Sequence, residues 1–154
     1  MTKTELEALE AAKRASVGQL LLKCARLLDE RALARVAKAS RGKATLRPAH
    51  TKLLPHITVE GVRLTALAAK LGVTKQAVGQ LVAEMESMGV VACVTDPADA
   101  RAKLVRFTPK GLQGIHQGLG VLREIEGEIE ARLGAKSMKA LHAALLATLE
   151  VLES

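Results

Sequence analysis

Three stretches of this chain carry apolar residues at helical spacing, and between the first and second lies a shorter, more varied pattern. From Thr4 to about Lys38, Leu6, Leu9, Val17, Leu20, Leu21, Cys24, Leu27, Leu28 and Val36 keep an approximate helical period without a proline. That predicts one long N-terminal helix with Gly18 as its weak point. Leu112, Ile115, Leu119, Leu122, Ile125, Ile129 and Leu133 recur at three- and four-residue steps, with Glu124, Glu126, Glu128 and Glu130 mostly off the stripe. After Gly134, Ser137 is placed to cap a last helix carrying Met138, Leu141, Leu145, Leu149 and Leu152. One small domain cannot bury three such stripes, whereas a second copy related by a twofold axis can. A compact monomeric bundle is the alternative.

The middle pattern predicts two short helices around a glycine turn, followed by a β-hairpin. Thr65 is placed to cap the first helix, Leu67, Ala68 and Leu71 form its apolar face, and Gly72 stops it. Thr74 caps the second, in which Val78, Leu81, Val82 and Met85 face the core. The opposite face carries Lys75, Gln76, Gly79, Gln80 and Ala83 and nothing acidic. Glutamine pairs bidentately with adenine in a major groove, and Lys75 reaches guanine or phosphate. Gly79 reads as clearance for close approach, and a solvated polar face is the plainer explanation of the two glutamines. Gly89 ends the helix and Val91 to Thr95 is a β-branched run suited to a strand. Asp96-Pro97-Ala98-Asp99 has turn chemistry, and Lys103 to Thr108 returns as the second strand. The hairpin tip then holds Asp99, Arg101 and Lys103, with Arg101 able to enter a narrow minor groove and Asp99 near enough to orient it by a salt bridge. Thr108-Pro109 starts the next helix, threonine as N-cap and proline at the first helical position.

The expected fold is therefore mainly α with a small antiparallel β-wing. It is a winged helix-turn-helix at 45–110, flanked by an N-terminal dimerisation helix at 1–40 and C-terminal dimerisation helices at 111–154, in one domain. Residues expected to touch double-stranded DNA are Thr65, Thr74, Lys75, Gln76, Gly79, Gln80, Asp99, Arg101 and Lys103.

LTALAAKLGVTKQAVGQLVAEMESMGVV followed by DPADARAKLVRFTPKG resembles the MarR family of winged-helix transcription regulators, its D-x-R wing and T-x-x-G ending being the more specific parts. The resemblance implies an obligate homodimer on a pseudo-palindromic operator, most often a repressor, with Thr74, Lys75, Gln76 and Gln80 in the recognition helix and Asp99 and Arg101 in the wing. The segment from Arg41 to Arg63 departs from the family pattern: it is short, basic and interrupted by Pro48 and Pro55, so its helix should be short or broken. Some relatives sense peroxide through a cysteine near the position of Cys24. The tyrosines that often support such a thiolate are missing here, and Cys24 lies on the apolar stripe, so a buried structural thiol is expected there and at Cys93.

Composition narrows the function further. Phe107 is the one aromatic residue of 154, which argues against RNA recognition by base stacking and leaves double-stranded DNA. The net charge of +7 is unevenly placed: ten Lys or Arg against five acids in 1–44, nine against five in 45–110, but four against six in 111–154. The C-terminal part should face away from DNA. His50, His56, His116 and His142 are scattered without metal-ligand spacing, and His50 and His56 read as surface or hinge residues near the prolines. No phosphate-binding loop, nucleophile elbow or paired catalytic carboxylates can be named, so neither an enzyme nor a cofactor is expected. No apolar run approaches the roughly 20 residues of a membrane span, and no signal pattern is seen at Met1 to Lys13, so no membrane association and a cytoplasmic location are expected. A small-molecule effector of unspecified identity is compatible with this architecture. The competing functional classes are a protein-interaction module on a winged-helix scaffold and an architectural DNA-binding protein without sequence preference.

Overall fold

A computed structural model describes residues 2–41, 43 and 45–154. The N-terminal stripe forms two helices, α1 (Lys3–Ala15) and α2 (Val17–Ala39), and not the single helix its periodicity suggests. The break is at Ser16, not at Gly18. Ser16 is extended (φ −81°, ψ 116°) and its hydroxyl accepts the Gln19 N–H at 3.3 Å, so a side-chain cap replaces the helical path at that residue. At the start of α1, the Thr2 and Glu5 side chains cap each other's backbone amides. Among its described residues the basic segment has two short helical pieces, α3 (Pro48–Thr51) and a 3-10 turn at Leu54–His56, each with proline near its start, as its two prolines led one to expect.

Strand β1 (Val62–Arg63) was not foreseen and runs directly into α4 (Leu64–Leu71). Because the chain is still extended at Arg63, that residue and not Thr65 occupies the N-cap position; Thr65 is the second residue of the helix and caps nothing. Gly72 ends α4 in the left-handed region (φ 64°), and Thr74 Oγ1 accepts the Ala77 N–H at 3.2 Å to start α5 (Lys75–Ser87). Gly89 (φ 71°) turns the chain into β2 (Val91–Asp96). Strand β3 (Asp99–Phe107) begins four residues before Lys103, because Pro97 and Ala98 alone make the turn. Helix α6 (Pro109–Leu133) starts at Thr108, whose Oγ1 accepts from Gly111 N–H. Helix α7 (Ala135–Glu153) follows Gly134 directly, so Ser137 lies inside it and is not its cap.

The sheet is antiparallel in the order β1-β3-β2. Leu67 from α4, Val78, Val82 and Met85 from α5, and Val62, Val91 and Val105 from the strands are buried together with Leu53 and Ile57. At roughly 1.5–3 kcal/mol for each fully buried large aliphatic side chain, this small centre fixes the angle between helices and hairpin. Packing of α6 against α2 buries Ile125 and pairs Arg35 with Glu124 and Glu128, and Arg31 with Glu128 at 3.6 Å. These pairs are largely exposed and orient the helices more than they stabilise them. Much of the stripe on the terminal helices remains uncovered within one chain: Leu20 is 44% exposed, Leu119 49%, Leu145 43% and Leu149 50%. Cys24 is likewise exposed and not buried as expected. Among the described residues, no helix is long and apolar enough to cross a membrane.

His50 is a further correction, being 2% exposed and not a surface residue. Its Nδ1 accepts the Arg47 N–H at 3.2 Å, which leaves Nε2 to donate to Glu84 Oε2 at 2.9 Å. Arg47 reaches the same carboxylate through Nε at 3.2 Å, so two residues of the short segment hold the far end of α5. The Arg47 guanidinium, and then His50, keep the Glu84 carboxyl below the usual 4.5. A group with a depressed folded-state pKa stabilises the fold above its unfolded value and loses that contribution as pH falls through the folded one. Urea unfolding should therefore show wild type more stable than Glu84→Gln at pH 7, with the gap closing as pH drops below about 4.5. A gap independent of pH from 7 to 3 would contradict this assignment.

Candidate nucleic-acid interface

Helix α5 buries Val78, Val82 and Met85 against the sheet, so its other side is turned to solvent. Thr74, Lys75, Gln76, Gln80 and Ala83 are exposed there, and Leu81 is half-buried at the margin. Gln76 and Gln80 stand one turn apart on this side. Gly79 lies differently from its expected place in an open approach face. A Cβ built on it points at Leu64 Cδ2 of α4, 3.5 Å away, an ordinary contact distance, so the missing side chain faces the neighbouring helix. Gly79→Ala should then fill space without strain and stabilise the protein by about 0.5–1 kcal/mol through helix propensity. A denaturant midpoint that falls would show that the α4–α5 contact has no room for a methyl group.

The wing and the start of α5 meet across a cleft of about 440 Å³ lined by Arg63, Leu64, Thr65, Lys75, Cys93, Arg101, Ala102 and Lys103. Four cationic side chains converge on it, and no carboxylate is in its lining. Thr65, Lys75, Arg101 and Lys103 were expected to touch DNA from sequence; Gln76 and Gln80 lie outside this cleft on the adjacent helix face. Arg63 was missed. A single arginine before an apolar helix carries no local signal, and only the β1–β3 pairing brings it beside the hairpin.

Asp99 acts otherwise than expected. Its Oδ1 accepts the backbone N–H of Arg101 at 3.0 Å, while its Oδ2 lies 3.9 Å from the Arg63 guanidinium. It therefore fixes the Arg101 main chain and leaves the Arg101 side chain to solvent. The two carboxylates of the turn face back to Arg63 because that residue sits at the wing's base. Asp96 is buried beside Arg63, with Nε at 2.8 Å and Nη2 at 2.6 Å from Oδ2, and its Oδ1 accepts Ala98 N–H at 2.8 Å. The Ala98 amide, and then Arg63, hold the Asp96 carboxyl below its usual value. Lys103 pairs with Thr95 across the hairpin, and its Nζ is 3.5 Å from Thr95 Oγ1. Cys93 is half-buried, and burial, followed by the Glu86 carboxylate, raises its thiol above the usual range, which disfavours a reactive thiolate in the cleft. Among the described residues, no group of three His, Cys, Asp or Glu could hold a metal ion.

Residues 46–102, from within the basic segment into the wing, match the model of the MarR family. No curated protein matches the chain significantly. The structure resembles the transcriptional regulator Tm0710 from Thermotoga maritima at 26% identity, covering 88% of this chain and 93% of that one, with a TM-score of 0.63. Its fold is also that of MarR from E. coli (18% identity, 87% and 97% coverage, TM-score 0.70). CouR from Rhodococcus jostii RHA1, solved with p-coumaroyl-CoA bound, shares the fold too (20% identity, 88% and 93% coverage, TM-score 0.62).

Proposed function

We propose that this chain, which carries the winged helix of the MarR family and has the fold of its transcriptional regulators, is a homodimeric repressor that occupies a pseudo-palindromic DNA operator. The observation that carries this is the cationic cleft between helix and wing, where Lys75, Arg101 and Lys103 converge beside the exposed face of α5. In such an arrangement α5 enters a major groove with Gln76 and Gln80 toward base edges, Thr74 and Lys75 meet the phosphates at its start, and Thr65 adds a hydroxyl from α4. Arg101 reaches the adjacent minor groove, with Asp99 holding its backbone and Lys103 behind it.

The uncovered leucines of α1, α2, α6 and α7 are the surface through which two chains join, and the twofold sets two recognition helices about 34 to 36 Å apart. The operator is then an inverted repeat with half-sites about one helical turn apart. A ligand that changes the separation of the two recognition helices would release the DNA. CouR was solved with p-coumaroyl-CoA bound, and a small-molecule effector of unspecified identity would act on this chain in the same way. Such a regulator works in the cytoplasm, on the chromosome. Neither a metal nor a catalytic group enters this scheme.

Light scattering of the free protein and of its DNA complex tests the assembly. Two chains of 16.3 kDa in the free particle, and two per duplex in the complex, are expected. A stable monomer that binds a single half-site would overturn the dimeric part of the proposal.

A further inference from the structure

Besides the shared core and the β1–β3 pairing, a polar link joins the helix-turn-helix to the turn of the wing through a residue that the DNA-binding residues do not include. Arg63 stands at the end of β1 and at the N-cap position of α4, so its main chain belongs to the helical half of the motif. Its side chain belongs to the hairpin. One guanidinium nitrogen, Nη2, lies 2.6 Å from Asp96 Oδ2 and 3.9 Å from Asp99 Oδ2, the two residues that bracket the turn. The other oxygen of each carboxylate is committed to the turn itself: Asp96 Oδ1 to Ala98 N–H and Asp99 Oδ1 to Arg101 N–H. A continuous chain of charge-assisted hydrogen bonds and an ion pair thus leads from the first residue before α4 to the main chain of Arg101.

The local geometry shows why such a link is useful. Thr95 pairs with Lys103 but Asp96 pairs with Asp99, so residues 100–102 of β3 bulge without a ladder partner in β2. Arg101 sits in that bulge. Its main-chain N–H is held there by Asp99 Oδ1, whose other oxygen faces Arg63.

We propose that Arg63 is a positioning residue for the wing, setting the direction of Arg101 through Asp96 and Asp99 and contributing to DNA binding by that route instead of by its own contact with phosphate. This rests on the DNA-binding reading above for its consequence, though not for its structural content. The side chain of Asp96 is 9% exposed and that of Arg63 45%, so the pair is shielded on the carboxylate side and stays effective at moderate salt.

The test uses the full chain, with Arg63→Gln, Arg63→Lys and Asp96→Asn made in wild-type and Arg101→Ala backgrounds. Amide hydrogen exchange of the free protein is the first readout. Arg63→Gln should speed exchange at Ala98 and Arg101 about tenfold or more while amides of α5 keep their protection. Arg63→Lys, which keeps the charge but has one nitrogen to share between two carboxylates, should fall between. Unchanged exchange in the wing, or faster exchange throughout the domain, overturns the proposal, the second by making Arg63 a general structural residue.

The second readout is affinity for the duplex upstream of the coding sequence. Arg63→Gln and Asp96→Asn should each weaken binding about tenfold in the wild-type background and have no further effect once Arg101 is alanine. Additive losses would mean that Arg63 meets the DNA directly and would overturn the proposal. If wild type binds no duplex at all, the DNA-binding reading fails, and the exchange result alone decides whether Arg63 directs the wing.

Discussion

Gly111→Ala is expected to destabilise the protein by about 3 kcal/mol or more, against the usual gain from replacing a helical glycine. Its Cβ would lie 1.9 Å from the Val90 carbonyl oxygen and 2.9 Å from the carbonyl carbon, both backbone atoms that no rotamer change can move. The close approach has a structural cause. Thr108 donates from its hydroxyl to Gly89 O at 2.6 Å and from its amide to Val90 O at 3.1 Å, while its Oγ1 accepts Gly111 N–H at 2.9 Å. These bonds pull the first turn of α6 onto the chain leaving α5, and only hydrogen fits at position 111. This is a physical basis for the T-x-x-G ending. The expected fall in thermal midpoint is roughly 6–12 °C at this chain length. Gly114, one turn nearer solvent, has nothing within 4 Å of its Cβ, and Gly114→Ala should be neutral or slightly stabilising. Equal melting of Gly111→Ala and wild type would contradict the docking of α6 described here. Because α6 also carries much of the uncovered apolar stripe, a shifted first turn should alter the spacing of the two recognition helices as well.

Arg101→Ala is expected to lower affinity for specific DNA about 10- to 100-fold, the loss of one well-placed minor-groove or phosphate contact of about 1–3 kcal/mol, without lowering the unfolding midpoint. The reason for separating the two effects is visible in the bonding. Only the main-chain N–H of Arg101 is held, by Asp99, and alanine keeps that bond. The exposed guanidinium supports no packing. Titration by fluorescence anisotropy, repeated at several salt concentrations, should also show the dependence of log affinity on log salt fall by about one unit. Loss of thermal stability in parallel with binding would contradict a side chain that acts only on DNA.

Sequence foretold what local chemistry determines. Gly72 and Gly89 had to take positive φ, Thr74 and Thr108 had hydroxyls at the right distance from the first turn, and Val78, Val82 and Met85 repeat at helical spacing; each of these works within a few residues. Elements decided by distant partners were not legible. A two-residue strand has no periodicity, so β1 was hidden, and with it the shift of the α4 cap from Thr65 to Arg63. Arg63 meets Asp96 across 33 positions, and His50 meets Glu84 across 34, so neither pairing leaves a pattern in its own neighbourhood. Asp99 was expected to hold the Arg101 side chain because the two are close in sequence, yet the bulge turns its carboxylate to the backbone. Ser16 and Ser137 are complementary lessons. Both are serines with capping chemistry, but Ser16 interrupts a helix where Gly18 was suspected, and Ser137 is left inside one because Gly134 (φ 83°) has already turned the chain.

The most direct measurement is an anisotropy titration at physiological salt of the purified protein against its own upstream intergenic DNA and a scrambled duplex of equal length. A sequence-specific repressor should bind the upstream fragment at least ten times more tightly, and Gln80→Ala or Arg101→Ala should erase that preference. Equal binding to both duplexes would contradict sequence-specific control of its own promoter and favour an architectural role. Binding to neither would contradict the account at its centre and move this winged helix to a protein-interaction role.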